Sequence, residues 1–267
     1  MRTDDTVREG AGRPGDTGRE AAATAGGPRP RLRLLGSFRL DLDGAPVEVR
    51  PSARRLLAYI GLHRRATRAA LAGILWPDVT DERAQGCLRT TLWRLGRGHR
   101  PLVADERVSL SLAETVDVDT RAFARSVLRA PDLPACDAHD DELLRLLLPE
   151  AELLPGWDED WLVFERERLR QLRLHALDSL AGRLSARGRH ARALQAALAS
   201  ARSAPLRESA HRMVISVHLA RDDPEAAARH YHAFRELLRE RHGLLPSPSF
   251  SSVLSLEDSQ GPLATMR

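Results

Sequence analysis

Residues 80–97 read TDERAQGCLRTTLWRLGR, and the division of side chains in this stretch sets the reading of everything around it. At 100° per residue, Ala84, Leu88, Thr91, Leu92 and Leu95 fall on one broad face of a helix. Asp81 and Glu82 occupy the first turn, where the helix dipole favours acids, behind a cap at Thr80 or Asp78. The helix is expected from about Asp81 to Gly96 or Gly98. Its opposite face carries Arg83, Gly86, Arg89, Thr90, Trp93, Arg94 and Arg97. Four arginines, a threonine and an outward tryptophan make a costly exterior unless something large and anionic meets it. Arginine can grip guanine O6/N7 with two hydrogen bonds or clamp a phosphate, while threonine and tryptophan can touch a thymine methyl or a sugar. Gly86 lowers helix propensity by about 1 kcal/mol, and without a side chain it lets a phosphate approach the backbone. Trp93 has a second reading, packing against the hairpin that follows.

Two further helices are expected before this one. Pro51-Ser52 opens the first, with Ser52 as N-cap and Ala53, Leu56, Leu57 and Ile60 inward. Thr67 caps the second, whose core face is Leu71, Ile74 and Leu75 and which stops at Trp76-Pro77. Upstream, Leu32, Leu34, Phe38, Leu40 and Leu42 alternate with polar residues across Gly36, the period of a half-buried strand. Asp43-Gly44 makes a turn into a short return strand at Val47 and Val49. Downstream, Leu102-Val103, a turn at Asp105-Glu106, and Val108, Leu110 and Leu112 read as a hairpin. Arg107 and Ser109 are its candidate phosphate or minor-groove contacts. The order is strand pair, three helices, hairpin: a winged helix with an N-terminal sheet, as in response-regulator effector domains.

Charge singles out the same segment. All 41 basic residues are arginine, a usage that GC-rich codon bias accounts for; it leaves no lysine for a P-loop or for Schiff-base chemistry. Codon bias does not explain where acids are scarce. Residues 29–100 hold 15 arginines and six acids, a net of +9, whereas residues 1–28 carry −1 and residues 101–267 carry −4. A compact basic segment is the electrostatic footprint of a polyanion binder.

Beyond Asp119 nearly every segment reads as helix: short ones at Thr120–Arg129 and Asp140–Leu148, and a turn at Leu154-Pro155-Gly156. A long helix follows from about Asp158 to Arg187, stopped by Gly188, then helices at 190–203, 206–221 and 224–242. A shift of 34 residues superposes Ala176 on Ala210, Ala186 on Ala220, Arg187 on Arg221, Ala193 on Ala227 and Ala199 on Ala233. Thirty-four is the tetratricopeptide period, in which small residues let paired helices approach closely. The chain is mainly α with a small β part. Its expected organisation is a disordered arm (1–28), a winged-helix DNA-binding domain (29–118), a helical tetratricopeptide-like domain (119–250) and a flexible tail (251–267).

Chemistry has few candidates. The ten histidines form no His-Glu-x-x-His pair, Cys87 and Cys136 lie outside any Cys-x-x-Cys spacing, and no nucleophile elbow or dinucleotide-binding glycine loop occurs. His139-Asp140-Asp141-Glu142 reads as an acidic helix start before it reads as a metal site. Catalytic residues, metals and cofactors are therefore not expected. No run is long and apolar enough for a membrane span or a signal peptide, so the expected location is the cytoplasm.

Taken together, LRLLGSFRLDLDG, SARRLLAYIGLH, ILWPD, CLRTTLWRLGR and VDVDTRAFA resemble the winged helix of the SARP-type activators, the bacterial antibiotic regulatory proteins. The segments LLPGWDEDWLVFERERLRQLRLHALDSLAGRL, APLRESAHRMVISVHLA and AARHYHAFRELLRERHGLLPSP resemble the bacterial transcriptional activation domain of that family. Together they run from about residue 31 to 250. The resemblance implies a homodimer on double-stranded DNA, binding to direct repeats near a promoter, and contact with RNA polymerase holoenzyme. Larger relatives continue into nucleotide-binding and sensor domains, and ATP-driven control within this chain is not expected. The alternative reading is a protein-interaction scaffold whose helical repeat is the working part.

Overall fold

The computed structural model describes residues 28–97, 101–134 and 136–250. But for Pro28, the expected arm (1–28) and tail (251–267) lie outside the described residues, as does Gly98. The chain folds as a winged helix joined to an all-helical bundle.

The N-terminal sheet has the order β3-β2-β1-β7, formed by β1 (Arg31–Arg33), β2 (Arg39–Leu42), β3 (Ala45–Val47) and β7 (Asp117–Val118). The alternation over residues 32–42, read as one strand, is in fact two antiparallel strands, with Leu32 opposite Leu40. The reason lies at the bend. Gly36 adopts φ +85°, and its amide donates to Glu152 O at 2.7 Å. The amides of Leu34 and Leu35 donate to the Asp119 carboxylate at 2.9–3.0 Å, so none of these groups is left for a continuing ladder. Asp43 and Gly44 both have positive φ, the geometry that a two-residue hairpin turn requires.

Three helices follow: α1 (Pro51–Leu62), α2 (Arg68–Leu75) and α3 (Asp81–Leu95). Pro51 occupies the first turn of α1, and Arg50, not Ser52, is its N-cap, with no side-chain hydrogen bond. Proline is pre-set for that first turn and lacks the amide that a cap would satisfy. Thr67 caps α2 as expected, accepting from the Ala70 amide at 3.2 Å. The wing is three-stranded, in the order β4-β6-β5, because Ala66–Thr67 (β4) pairs with β6 (Ser109–Leu112) beside β5 (Val103–Glu106). Its turn lies at Arg107-Val108, two residues later than expected. Asp105 and Glu106 stay in strand β5, held by ion pairs to Arg68 and Arg65.

The second half comprises α4 (Asp119–Arg129), a 3₁₀ turn (Ala130–Asp132), α5 (Asp137–Leu147), α6 (Asp160–Ala186), α7 (His190–Ser203), α8 (Glu208–Leu219) and α9 (Pro224–His242). Gly188 and Gly243 close α6 and α9 at φ +71° and +66°, where other residues are strained. Each of α6 to α9 packs on its sequence neighbour. Of the 34-residue matches, Ala176, Ala210, Ala193 and Ala227 are buried, as close helix crossings need; Ala186 and Ala220 are exposed. The acidic cluster is a clamp. Asp140, fully buried, takes Arg183 at 2.6 Å and Arg187 at 2.5 Å and thereby ties α5 to α6.

Candidate nucleic-acid interface

Helix α3 presents the two faces that its sequence implies. Ala84, Leu88 and Thr91 are buried on α1 and α2, and Leu92 and Leu95 are half-buried. Arg83, Arg89, Thr90, Trp93, Arg94 and Arg97 are all exposed. None of the four arginines has an acidic partner among the described residues, although most arginines elsewhere are paired. A run of unneutralised guanidiniums from Arg83 to Arg97 extends about 21 Å along the helix. Trp93 does not pack on the wing: it is 57% exposed, and the Arg97 guanidinium lies 3.7 Å over its ring. That stacking holds Arg97 against a flat aromatic platform. Thr90 Oγ1 donates to Gly86 O at 2.9 Å, which turns the threonine methyl outward from the helix backbone.

Arg83, Thr90 and Arg94 share a shallow concavity with Gly86, Ser52 and Trp76. Ser52 and Trp76 were assigned by sequence to a cap and a helix stop. Their presence here follows from α1 and α2 bringing their ends beside α3, and no periodicity within one helix could have signalled it. Because α1 begins without a side-chain cap, the amides of Ser52 and Ala53 have no capping acceptor there, while that of Arg54 donates to Arg50 O.

The wing divides the two residues proposed there. Arg107 stands exposed at the tip, at φ +48°. Ser109 is 7% exposed, and its hydroxyl accepts from Arg65 Nε at 2.6 Å; it is a strut of the wing and not an accessible contact. The wing's acids are neutralised by Arg65 and Arg68. Beside Arg107, the tip presents Val108, 70% exposed.

This winged helix precedes a helical half that matches a known family: residues 146–255 fit the model of the bacterial transcriptional activator domain. That match spans α6 to α9. With the winged helix in front of it, this is the domain order of the SARP-type transcriptional activators, the family that the sequence resembles. The fold is similar to that of Mycobacterium tuberculosis EmbR in complex with a low-affinity phosphopeptide. The TM-score is 0.69 at 21% identity, over 88% of this chain and 66% of that one. The chain thus spans just under two thirds of that protein's length, and at this identity the likeness is one of fold. No functionally curated protein matches the sequence. No helix among the described residues is long and apolar enough to cross a membrane.

The helical half is tied to the winged helix by close contacts. Arg55 on α1 binds Glu159 at 2.8 Å, which also accepts from Trp161 Nε1 at 3.1 Å. Tyr59 meets Trp161 edge-on at 5.2 Å, and Phe38 stacks on Trp157 at 6.0 Å. Arg166 fastens the 153–157 turn by donating to the carbonyls of Leu153, Leu154 and Trp157. Helix α3 is therefore carried on a base continuous with the helical bundle.

Proposed function

We propose that the chain is a sequence-specific regulator of transcription, an activator that inserts α3 into the major groove of double-stranded DNA. The observation that carries this reading is the unpaired arginine face of α3. Arg83, Arg89, Arg94 and Arg97 stand exposed, without acids, on a helix whose other face is fixed in the core. In this reading Arg89 and Arg97, on either side of Trp93, reach base edges. Arg83, Arg94 and Thr90 follow the phosphates with Ser52 and the free amides of α1, a helix start suited to anions. Arg107 at the wing tip takes a phosphate or the minor groove.

Residues 29–118 act as the DNA reader and residues 119–250 as the activation unit that contacts RNA polymerase. Two copies bind direct repeats as a homodimer. The protein works in the cytoplasm as a regulator and not as an enzyme, without cofactor or metal.

The test is genome-wide footprinting of the bound sites, followed by affinity measurements on the recovered sequence between 50 and 200 mM salt. Log affinity should fall linearly with log salt, with a slope of about −0.9 per phosphate contacted on duplex DNA. A flat salt response, or no sequence enriched over bulk DNA, would sink this reading and leave the helical half as the working part.

A further inference from the structure

At the opposite end of α1 from the α3 surface lies a groove of about 650 Å³, between the end of α1, strand β6 and the start of α4. This volume is in the range of small-molecule sites. Its floor is apolar, from Leu62, Leu112, Val116 and Leu128, and Leu128 is left 64% exposed. Its walls bear Arg64, Arg121, Arg125 and Arg168. Of the acids that reach it, Glu165 is taken by Arg168 at 2.8 Å and Asp117 lies 4.0 Å from Arg29; Glu114 stands on the rim.

Arg64 and Arg125 have no acidic partner among the described residues. Arg121 is held in place by donating to the carbonyls of Ile60 and Gly61, each at 2.8 Å. Burial, and then the charges of Arg64 and Arg125, push the Arg121 guanidinium below its ordinary pKa; none of the three closes an ion pair among the described residues. Thr120, which also lines the groove, is only 2% exposed, and its Oγ1 is buried with no hydrogen-bond partner. A buried hydroxyl without a partner is unfavourable, and a bound acceptor would relieve it. Converging guanidiniums match the oxygens of a phosphate or carboxylate, and the apolar floor calls for a body that water would not keep.

We propose that this groove binds a small amphipathic anion, its phosphate or carboxylate head held by Arg64, Arg121, Arg125 and Thr120 and its apolar body lying over Leu62, Leu112 and Leu128. The ligand would bridge wing strand β6 to α4 and α6, linking its occupancy to the placement of the winged helix on the helical bundle. This goes beyond DNA reading and does not depend on it.

The experiment titrates the full chain by calorimetry with n-octyl phosphate and with octanoate, both below micellar concentration, and with octyl glucoside as the uncharged control. Saturable binding of either anion, with none of the glucoside, is expected. Arg64→Glu and Arg125→Glu alter exposed side chains and should weaken binding at least tenfold. Thr120→Val keeps the volume; it should weaken binding several-fold while the unliganded melting temperature holds or rises. Equal binding of the glucoside, no saturable binding of either anion, or Thr120→Val and Arg125→Glu proteins that bind as the parent does, would each overturn the proposal. So would an Arg125→Glu protein that loses DNA affinity and keeps its affinity for octyl phosphate, which would mark the groove as a nucleic-acid contact.

Discussion

Arg89 closes no ion pair among the described residues, and Arg97 stacks only on the exposed ring of Trp93. Arg65, Arg68, Arg166 and Arg187 each close an internal ion pair or hold a carbonyl, so their loss would be felt as instability. Arg89→Ala and Arg97→Ala should leave the melting temperature within a degree or two. They should weaken binding to the footprinted site by about 1–3 kcal/mol if they read bases; a uniform loss across all sequences would reassign them to phosphate. The histidines of the helical half offer a second test at this scale. His211 donates Nε2–H to Pro205 O at 2.9 Å, so its Nδ1 accepts from His230 Nε2 at 3.0 Å, an arrangement that needs the His211 ring neutral. Burial, and then the charge that His211 and His218 would carry, push His230 down to about 4. A histidine whose folded pKa lies below its unfolded one gives stability that is present above the unfolded value and lost as the pH falls. Thermal melts should therefore show stability dropping between pH 6.5 and about 4, and His230→Gln should flatten that drop.

The helical elements are joined by two kinds of contact that respond differently to substitution. The Asp140 clamp is electrostatic. Asp140→Ala leaves the half-buried Arg183 without its carboxylate and Arg187 with Asp137 alone. A loss of about 3 kcal/mol is expected, read as a fall in the urea midpoint. The crossings of α6 to α9 are steric. Ala227 is fully buried in a cluster with Ile215, Phe234, Leu238 and Phe250, and Ala227→Trp should overpack it by about 1–3 kcal/mol or more. Ala233→Trp, on the exposed side of the same helix, should be nearly neutral. If both changes cost the same, the 34-residue register of close crossings would be wrong.

For the whole molecule, the governing fact is that one hydrophobic core runs from Leu32 in β1 to Val217 in α8 without interruption. Residues on either side of position 118 share it. Asp119 accepts the Leu34 and Leu35 amides, and Leu154 donates to Leu34 O at 3.0 Å. Scanning calorimetry should accordingly show a single main transition for the winged helix and α4 to α8. Residues 29–118 expressed alone should melt well below the full chain, having lost the partners of the Leu34, Leu35 and Gly36 amides and the cover over Leu34. Two separated transitions of similar size would contradict this coupling. The smaller cluster under α9 has its own core, so amide exchange should be faster in α9 than in α6.

The helices, their order and the two-faced character of α3 are legible in the sequence, because they rest on local periodicity, on proline and glycine stops, and on charges counted along the chain. The family resemblance is legible there too, carried by short segments at fixed spacing. Which polar groups were already occupied depended on contacts made in the folded chain. The Asp119 carboxylate and Glu152 O broke one expected strand into two, and Arg65 and Arg68 drew Asp105 and Glu106 into β5 and moved the wing turn. Arg65 buried Ser109, and the packing of α1 and α2 brought Ser52 and Trp76 beside Arg83. Each of these is a contact between residues far apart in the chain, and such contacts leave no trace in the spacing of a single element. A side chain's availability for function is settled by its neighbours in space.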